Sequence, residues 1–498
     1  MTSLPAPVHA AATVRAADRQ AIEVLGLPGY LLMTRAGEAA FALLRRQWPL
    51  ARRLLVLAGP GNNGGDAYVL ARLARAAGLE VVLVAPAGAP AAAGDALRAR
   101  SDWADGGGFT TPWSRGLLGE ADVVVDGLLG TGLARDVGEP YAALIAALNA
   151  ADRPVLALDL PSGLDADSGQ VRGSAVRAAL TVTFVGLKAG LYLGDGPDHV
   201  GRLAWDGLGV PVEAFGAAVP LLRRITAEDV RRLLPRRART ANKGSHGRVL
   251  IIGGGPGMPG AVRLAGEAAL RAGAGLVTVA TSPAHAAIIA GGRPELICLP
   301  TEDAASLHSA LEAADVVAIG PGLGRSPWAR GLVEAAFACG RPLVVDADAL
   351  NLLAERPRRG PAWCLTPHPG EAGRLLGSSA AAVQADRLAA VHALVERYGG
   401  VVVLKGAGTL VATAGEPPQV CDRGNPGMAA AGMGDVLTGV IAAVVAQQRD
   451  PVAALAAAAA VGVAIHAAAG DLAARAGERG LIASDVIASL PSCVNPAP

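Results

Sequence analysis

GNPGMAAAGMGDVLTG, residues 424–439, sets the reading of the C-terminal half of this chain. A glycine-rich loop runs straight into an apolar segment, Val436 to Ala446, with helix-like spacing and no breaker after Gly439. Gly432 and Gly434 let the backbone approach a ligand. The free N–H groups of a helix's first turn, at its positive dipole end, favour anions. Asp435 sits at that mouth. A carboxylate beside a phosphate cradle is electrostatically awkward unless it moves a proton; as a plain helix-start residue it would only favour the dipole.

Outward from this stretch, apolar runs read as strands that end in ligand-edge loops. Residues 401–404 end in Lys405, Gly406, Ala407, Gly408 and Thr409, which supply charge and backbone donors for phosphates. Others end at Gly320-Pro-Gly322-Leu-Gly324, at Asp346-Ala-Asp348 and at Thr366-Pro-His368-Pro-Gly370-Glu371. Residues 248–253 form another strand, and Gly255, Gly257 and Gly260 then match GxGxxG. A dinucleotide site also wants an acidic residue after the second strand, but residues 276–280 lead to Thr281-Ser282. Those glycines therefore point to close approach of another ligand.

At 498 residues the chain calls for two domains or more. A net charge of +1 and 3% aromatics argue against nucleic-acid binding; seven arginines between 223 and 239 read as a solvated face or an interface. Five cysteines without a CxxC pair read as thiols in a reducing cytoplasm. The most lipid-like run, residues 452–465, is shorter than the roughly 20 residues of a membrane span and reads as a buried helix. No membrane partner is expected.

In the first half, residues 13–48 have helical spacing broken at Gly26-Leu-Pro28-Gly29. A strand over residues 54–58 empties into GPGNNGGD, residues 59–66, followed by a helix and a second strand at 81–85. This is a βαβ unit with its loop at the ligand-binding edge. Without GxGxxG or a lysine, neither the dinucleotide fingerprint nor the P-loop fits. Two later strands end in Asp126 and Asp159, the second leading to Pro161-Ser162. Parallel strands put their ends on one edge, so Asp66, Asp126 and Asp159 should converge. Clustered carboxylates call for a cation, a proton or a cationic ligand. Lys188 is a possible charge partner. Order is lost over residues 207–225, which places the domain boundary near Arg223, giving domains of 1–222 and 223–498.

GPGNNGGD, DGLLGTGL and ALDLPSGLDADSG resemble the epimerase domain of the bifunctional NAD(P)H-hydrate repair enzymes over roughly residues 13–210. GPGLG, DADALN, TPHPGE, KGAGT and GNPGMAAAGMGD resemble the ADP-dependent dehydratase domain of the same enzymes over about 240–490. The resemblance implies an α/β chain, a Rossmann-like α/β/α domain followed by a ribokinase-like one. It implies repair of NADHX and NADPHX, the hydrated cofactors: epimerisation of the R and S hydrates, then ADP-dependent dehydration of the S hydrate. It further implies that Asn62, Asn63, Gly64, Gly65, Asp66 and the loop Gly130, Thr131, Gly132, Leu133, Ala134, Arg135 and Asp136 hold the hydrate. Asn63, Asp126 and Ser162 would ligate K+, and Asp159 would be the acid/base. In the second domain Ala261, Gly322 and His368 would contact the hydrate. Lys405 to Thr409 and Gly434 would contact ADP, used with Mg2+, and Asp435 would be the base. A homo-oligomer is expected. The chain departs from the family pattern at Thr34-Arg35, at Ala67, and at Asn242 and His246.

Two other readings compete. One is a small-molecule kinase of the ribokinase class; none of Asn242, Asn351, Asn425 or Asn495 begins the Asn-x-x-Glu metal motif common there. The other is a binding protein without turnover, against which Asp126, Asp159 and Asp435 stand.

Overall fold

The computed structural model describes residues 4–86 and 92–495. The chain divides into two compact units, Met1–Leu222 and Arg223–Pro498.

The first unit is built on a six-stranded, all-parallel sheet in the order Glu80–Val84, Arg53–Ala58, Val123–Gly127, Val155–Leu158, Leu180–Phe184, Arg202–Asp206. The inner strands are near-continuous Val/Leu runs because helices cover both faces. Helix Gly29–Gln47 packs on helix Asn62–Ala76, which packs on Gly94–Asp105. The sequence reads residues 59–66 as loop, but the helix already starts at Asn62, with Gly61 as its N-cap. Asn62, Asn63, Gly64 and Gly65 are therefore its first turn, and Asp66 begins the second. A side chain at 64 would run into the Gly59 carbonyl, so the turn closes this tightly only with glycine there.

In the second unit Ile297–Pro300, Leu276–Thr281, Arg248–Ile252, Val316–Ile319, Leu343–Val345, Trp363–Leu365 and Val401–Leu404 lie side by side and parallel. Thr409–Thr413 and Gln419–Cys421 then continue the sheet antiparallel. The mixed sheet gathers the strand ends before Gly320, Asp346, Thr366 and Lys405 on one edge. Helix Met433–Ala446, buried along nearly its whole length, packs on Pro259–Arg271 and on Leu455–Ala473. The latter is long and apolar enough to cross a membrane, but 72% of its apolar window is buried inside the protein, as the sequence reading expects.

Candidate active sites

In the first unit a cavity of about 660 Å³ opens at the carboxyl edge of the sheet. Asn62, Asn63 and Asp66 reach it from the start of their helix, and Gly130, Thr131, Gly132, Leu133, Ala134 and Arg135 form a rim. Gly64 and Gly65 pack against Gly59 and Met33 instead, and Asp136 lies beside Gly173. The Arg15 guanidinium fastens the rim by donating to the Thr131 carbonyl at 2.6 Å.

Asp159 lies just past its strand, with φ 62°, in the left-handed region. That backbone costs about 1–3 kcal/mol in a non-glycine residue and persists only where its surroundings enforce it. Here Lys188, itself 1% exposed, forms an ion pair with the Asp159 carboxylate and also donates to Thr183 Oγ1 at 2.9 Å and the Phe184 carbonyl at 2.8 Å. The Phe184 N–H donates to Asp159 Oδ1 at 3.2 Å. Asp66 and Asp18 share the cavity with this pair. Burial, with the Asp159 and Asp18 carboxylates adding to it, drives the Asp66 carboxyl well above its usual range.

Asp126 does not join them. It is still inside its strand, opposite Ala157, and is fully buried. Its Oδ1 accepts from the Ser162 hydroxyl at 2.6 Å and its Oδ2 from the Ser162 N–H at 2.8 Å. The Leu129 N–H donates to Ser162 Oγ at 2.8 Å, and Asn63 Nδ2 donates to the Leu129 carbonyl at 2.9 Å. Asn63, Asp126 and Ser162 are thus joined through one short segment, while Asp66 and Asp159 form a separate group. Burial pushes Asp126 up to about 6 despite its Ser162 and Leu128 donors. Asn63 Oδ1, the remaining acceptor, is buried without any hydrogen-bond partner. An orphaned acceptor beside a buried carboxylate and a hydroxyl forms an all-oxygen set that a monovalent cation satisfies.

In the second unit the strand ends assemble around Lys405. Its ammonium bonds Asp346 Oδ1 at 2.8 Å and lies 3.8 Å from Glu371 Oε2. Burial opposes the charged amine, but the Asp346 and Glu371 carboxylates outweigh it and hold the Lys405 pKa above normal. A Cβ at Gly434 would stand 3.3 Å from Lys405 Nζ and 3.7 Å from Asp346 Oδ2, so glycine keeps this helix turn open to the strand ends. Asp346 Oδ2 also accepts from Thr438 of the same helix at 2.7 Å. Asp435 is the third residue of that helix, whose N-cap, Gly432, provides no side-chain cap. Burial first, then Asp346, push Asp435 up to about 7, with Lys405 pulling the other way. His368 caps helix Pro369–Leu376, its Nδ1 accepting from Gly370 N–H at 3.0 Å and its Nε2 3.5 Å from Glu371 Oε1. Gly322 faces Ala261, where an added Cβ would lie 3.1 Å from the alanine's. The buried Arg387 guanidinium donates to the Leu404, Lys405 and Gly408 carbonyls, and the Thr409 hydroxyl bonds the Gly406 carbonyl at 2.8 Å, fixing the 405–409 loop.

Two family models match the chain: YjeF-related protein N-terminus over residues 29–190, and NAD(P)H-hydrate dehydratase over residues 249–492. A bifunctional NAD(P)H-hydrate repair enzyme of Coxiella burnetii is 50% identical over 484 residues, 97% of this chain and 98% of that one. The chain belongs to the bifunctional NAD(P)H-hydrate repair enzymes. Its first unit carries the epimerase and its second the ADP-dependent dehydratase. The Escherichia coli repair enzyme is 46% identical over 496 residues, 99% of this chain and 95% of that one. A ribokinase-like superfamily protein of Enterococcus faecalis matches with a TM-score of 0.51 and 28% identity, covering 56% of this chain and 97% of that one.

Within the repair-enzyme framework, the residues that depart from the family pattern lie off the two sites. Thr34 bonds its own helix at the Tyr30 carbonyl (2.8 Å) and Arg35 bonds the Leu208 carbonyl (2.7 Å), whereas Leu32, Met33 and Ala36 line the cavity. Ala67 is fully buried in the core of the first unit. Asn242 caps the short turn Lys243–His246, which precedes strand Arg248–Ile252 at the amino edge of the sheet, opposite the site. Sequence reading missed Asp18, Arg15 and Arg387. Asp18 left a trace, because it falls on the same helical stripe as Val14, Ala17 and Ala21; the reach of the two arginines to distant carbonyls left none.

Proposed function

We propose that the two repair steps are divided between these sites as follows. In the first unit the NADHX or NADPHX hydrate lies against Asn62, Asn63, Asp66 and the 130–136 loop, while Gly64 and Gly65 keep the helix turn close. Asp159, held by Lys188, exchanges the proton needed to invert the hydrated carbon. Asn63, Asp126 and Ser162 would hold K+, which would neutralise the buried Asp126 and present positive charge to an anionic substrate.

In the second unit the hydrate rests against Ala261, Gly322 and His368. ADP phosphates lie on Lys405, the backbone of Gly406, Ala407, Gly408 and Thr409, and Gly434. Among the described residues no three acidic, histidine or cysteine side chains enclose a metal, so Mg2+ would arrive with the nucleotide, held by its phosphates and water. A ring hydroxyl is a poor leaving group. Asp435 takes its proton as the oxygen attacks the terminal phosphorus of ADP, AMP departs, and elimination of phosphate from the resulting ester together with a proton from the adjoining ring carbon restores the dihydronicotinamide. The helix N-terminus stabilises charge on the transferred group. Since dehydration uses the S hydrate, epimerisation makes the R hydrate repairable too.

The observation that carries this reading is the placement of Asp435: a carboxyl pushed to about 7, where a general base works best, beside Lys405 at a helix start. The test gives the purified protein mixed R and S hydrates and ADP. Recovery of all the reduced cofactor is expected; accumulation of a stable phosphate ester would mean a kinase instead.

A further inference from the structure

Helix Ala11–Glu23 turns Val14, Ala17 and Ala21 inward, and Asp18 shares their face. Its carboxylate reaches the cavity that Asp66, Asp159 and Lys188 also line. Among the described residues it accepts no hydrogen bond and forms no ion pair. A carboxylate drawn out of water without a partner is costly, and a helix face offers many cheaper positions for it. The groups facing Asp18 are Lys188 and Asp159 from the strand ends and Asp66 from its neighbouring helix, with Arg15 and Arg19 on its own helix. Burial pushes its pKa up to about 6, with Lys188 opposing and Asp159 reinforcing that rise.

We propose that Asp18 is a second proton-transfer group of the epimerisation site, exchanging the proton at the substrate's ring nitrogen while Asp159 exchanges the one on its hydroxyl. The proposal rests on assigning epimerisation to this cavity. Hydration of an enamine puts the hydroxyl on the carbon bonded to nitrogen. When Asp159 removes that hydroxyl proton, the oxygen's electron pair forms a carbonyl and the carbon–nitrogen bond breaks with its pair passing to nitrogen. Asp18 protonates the nitrogen, whose lone pair is conjugated with the ring's carboxamide. Rotation about the adjoining carbon–carbon bond turns the other carbonyl face inward. Closure runs both transfers in reverse: nitrogen gives its proton back to Asp18 as its lone pair attacks the carbonyl carbon, and the carbonyl oxygen takes the proton held by Asp159 to become the new hydroxyl. Nothing is consumed. One carboxylate cannot serve both atoms at once, which is what the second one supplies.

The test is Asp18→Asn in the full chain, with R/S interconversion followed by NMR without ADP. Interconversion should fall roughly 10²–10⁴-fold, the usual share of one acid/base group, with little change in KM. The wild-type kcat/KM should decline as pH rises past a pKa near 6, since Asp18 must carry the proton it delivers; the variant should lose that limb. Asp18→Glu should restore part of the rate. ADP-dependent dehydration of pure S hydrate by the same preparation should stay at the wild-type level. A variant within threefold of wild type, or one whose loss lies in KM with the pH limb intact, overturns the proposal. If asparagine disturbs folding of the first unit, seen by thermal unfolding, Asp18→Ser takes its place, and an intact pH limb in that non-titrating variant overturns the proposal equally. A wild-type protein that does not interconvert the hydrates would instead sink the underlying assignment.

Discussion

Asp435→Asn separates charge from shape at the dehydratase site. The shift of Asp435 from 3.8 to about 7 is about three pKa units. At 1.36 kcal/mol per unit, ionised Asp435 costs the folded second unit about 4 kcal/mol at most, and about 2–4 kcal/mol allowing for its partial exposure. Its folded pKa is raised, so this cost is absent below the unfolded value, grows as pH rises and is complete above 7. Asparagine removes it. Thermal unfolding of the second unit should therefore rise by roughly 5–10 °C at pH 8 and by clearly less at pH 5. Turnover should move the opposite way, falling roughly 10²–10⁴-fold for the S hydrate. ADP should bind as well or better, because a carboxylate near phosphate repels it while Lys405 and the helix backbone are untouched. The assays are calorimetric ADP titration, NADH recovery and a melting curve at two pH values on one preparation. Were Asp435 only a helix-terminal residue, asparagine would serve about as well and turnover would persist. Near-normal turnover refutes the base assignment, and a lowered melting point at pH 8 refutes the electrostatic argument behind it.

Asp159→Asn should cut epimerisation roughly 10²–10⁴-fold and leave dehydration of the S hydrate unchanged; mixed hydrates would then stop at the S share, read by NADH absorbance. Potassium should stabilise the first unit more at pH 8 than at pH 5, because Asp126 is raised from 3.8 to about 6, so the cost of ionising it in the folded unit grows from about pH 4 and is complete only above 6. Equal melting curves in potassium and tetramethylammonium chloride would place the cation elsewhere. Arg387→Lys leaves carbonyls of the 405–409 loop without donors, and the KM for ADP should rise about tenfold, the equivalent of one charged hydrogen bond; an unchanged KM would show that the loop holds its shape alone.

The strands were legible because both sheets are dominated by buried parallel strands, whose apolar runs stop at polar loops. Residues 54–58, 123–126 and 401–404 fall within Arg53–Ala58, Val123–Gly127 and Val401–Leu404. The helix start at Asn62 was not legible, since two asparagines and two glycines are poor helix formers and packing against Gly59 decides the matter. Convergence of three carboxylates was half right. Asp126 lies inside its strand and Asp159 beyond the end of the next, so the two sit at different levels and serve different groups. A strand-end pattern shows that a carboxylate is near an edge but not its depth. Asp435 needed no depth, because its helix fixes its position relative to Gly434.

The backbone at Asp159 bears on how this position can be probed and how it can drift. Left-handed residues other than glycine are chiefly asparagine and aspartate, whose short polar side chains stabilise that conformation locally. Alanine there would lose the carboxylate and at the same time bear the full conformational penalty, so an alanine scan at 159 would mix two losses in one number. Asparagine keeps the shape and glycine keeps the turn, so these two substitutions remove the carboxylate, and with it the Lys188 ion pair, without adding that conformational penalty. The same restriction narrows the inactive descendants this site can tolerate without also loosening the turn that leads to Ser162.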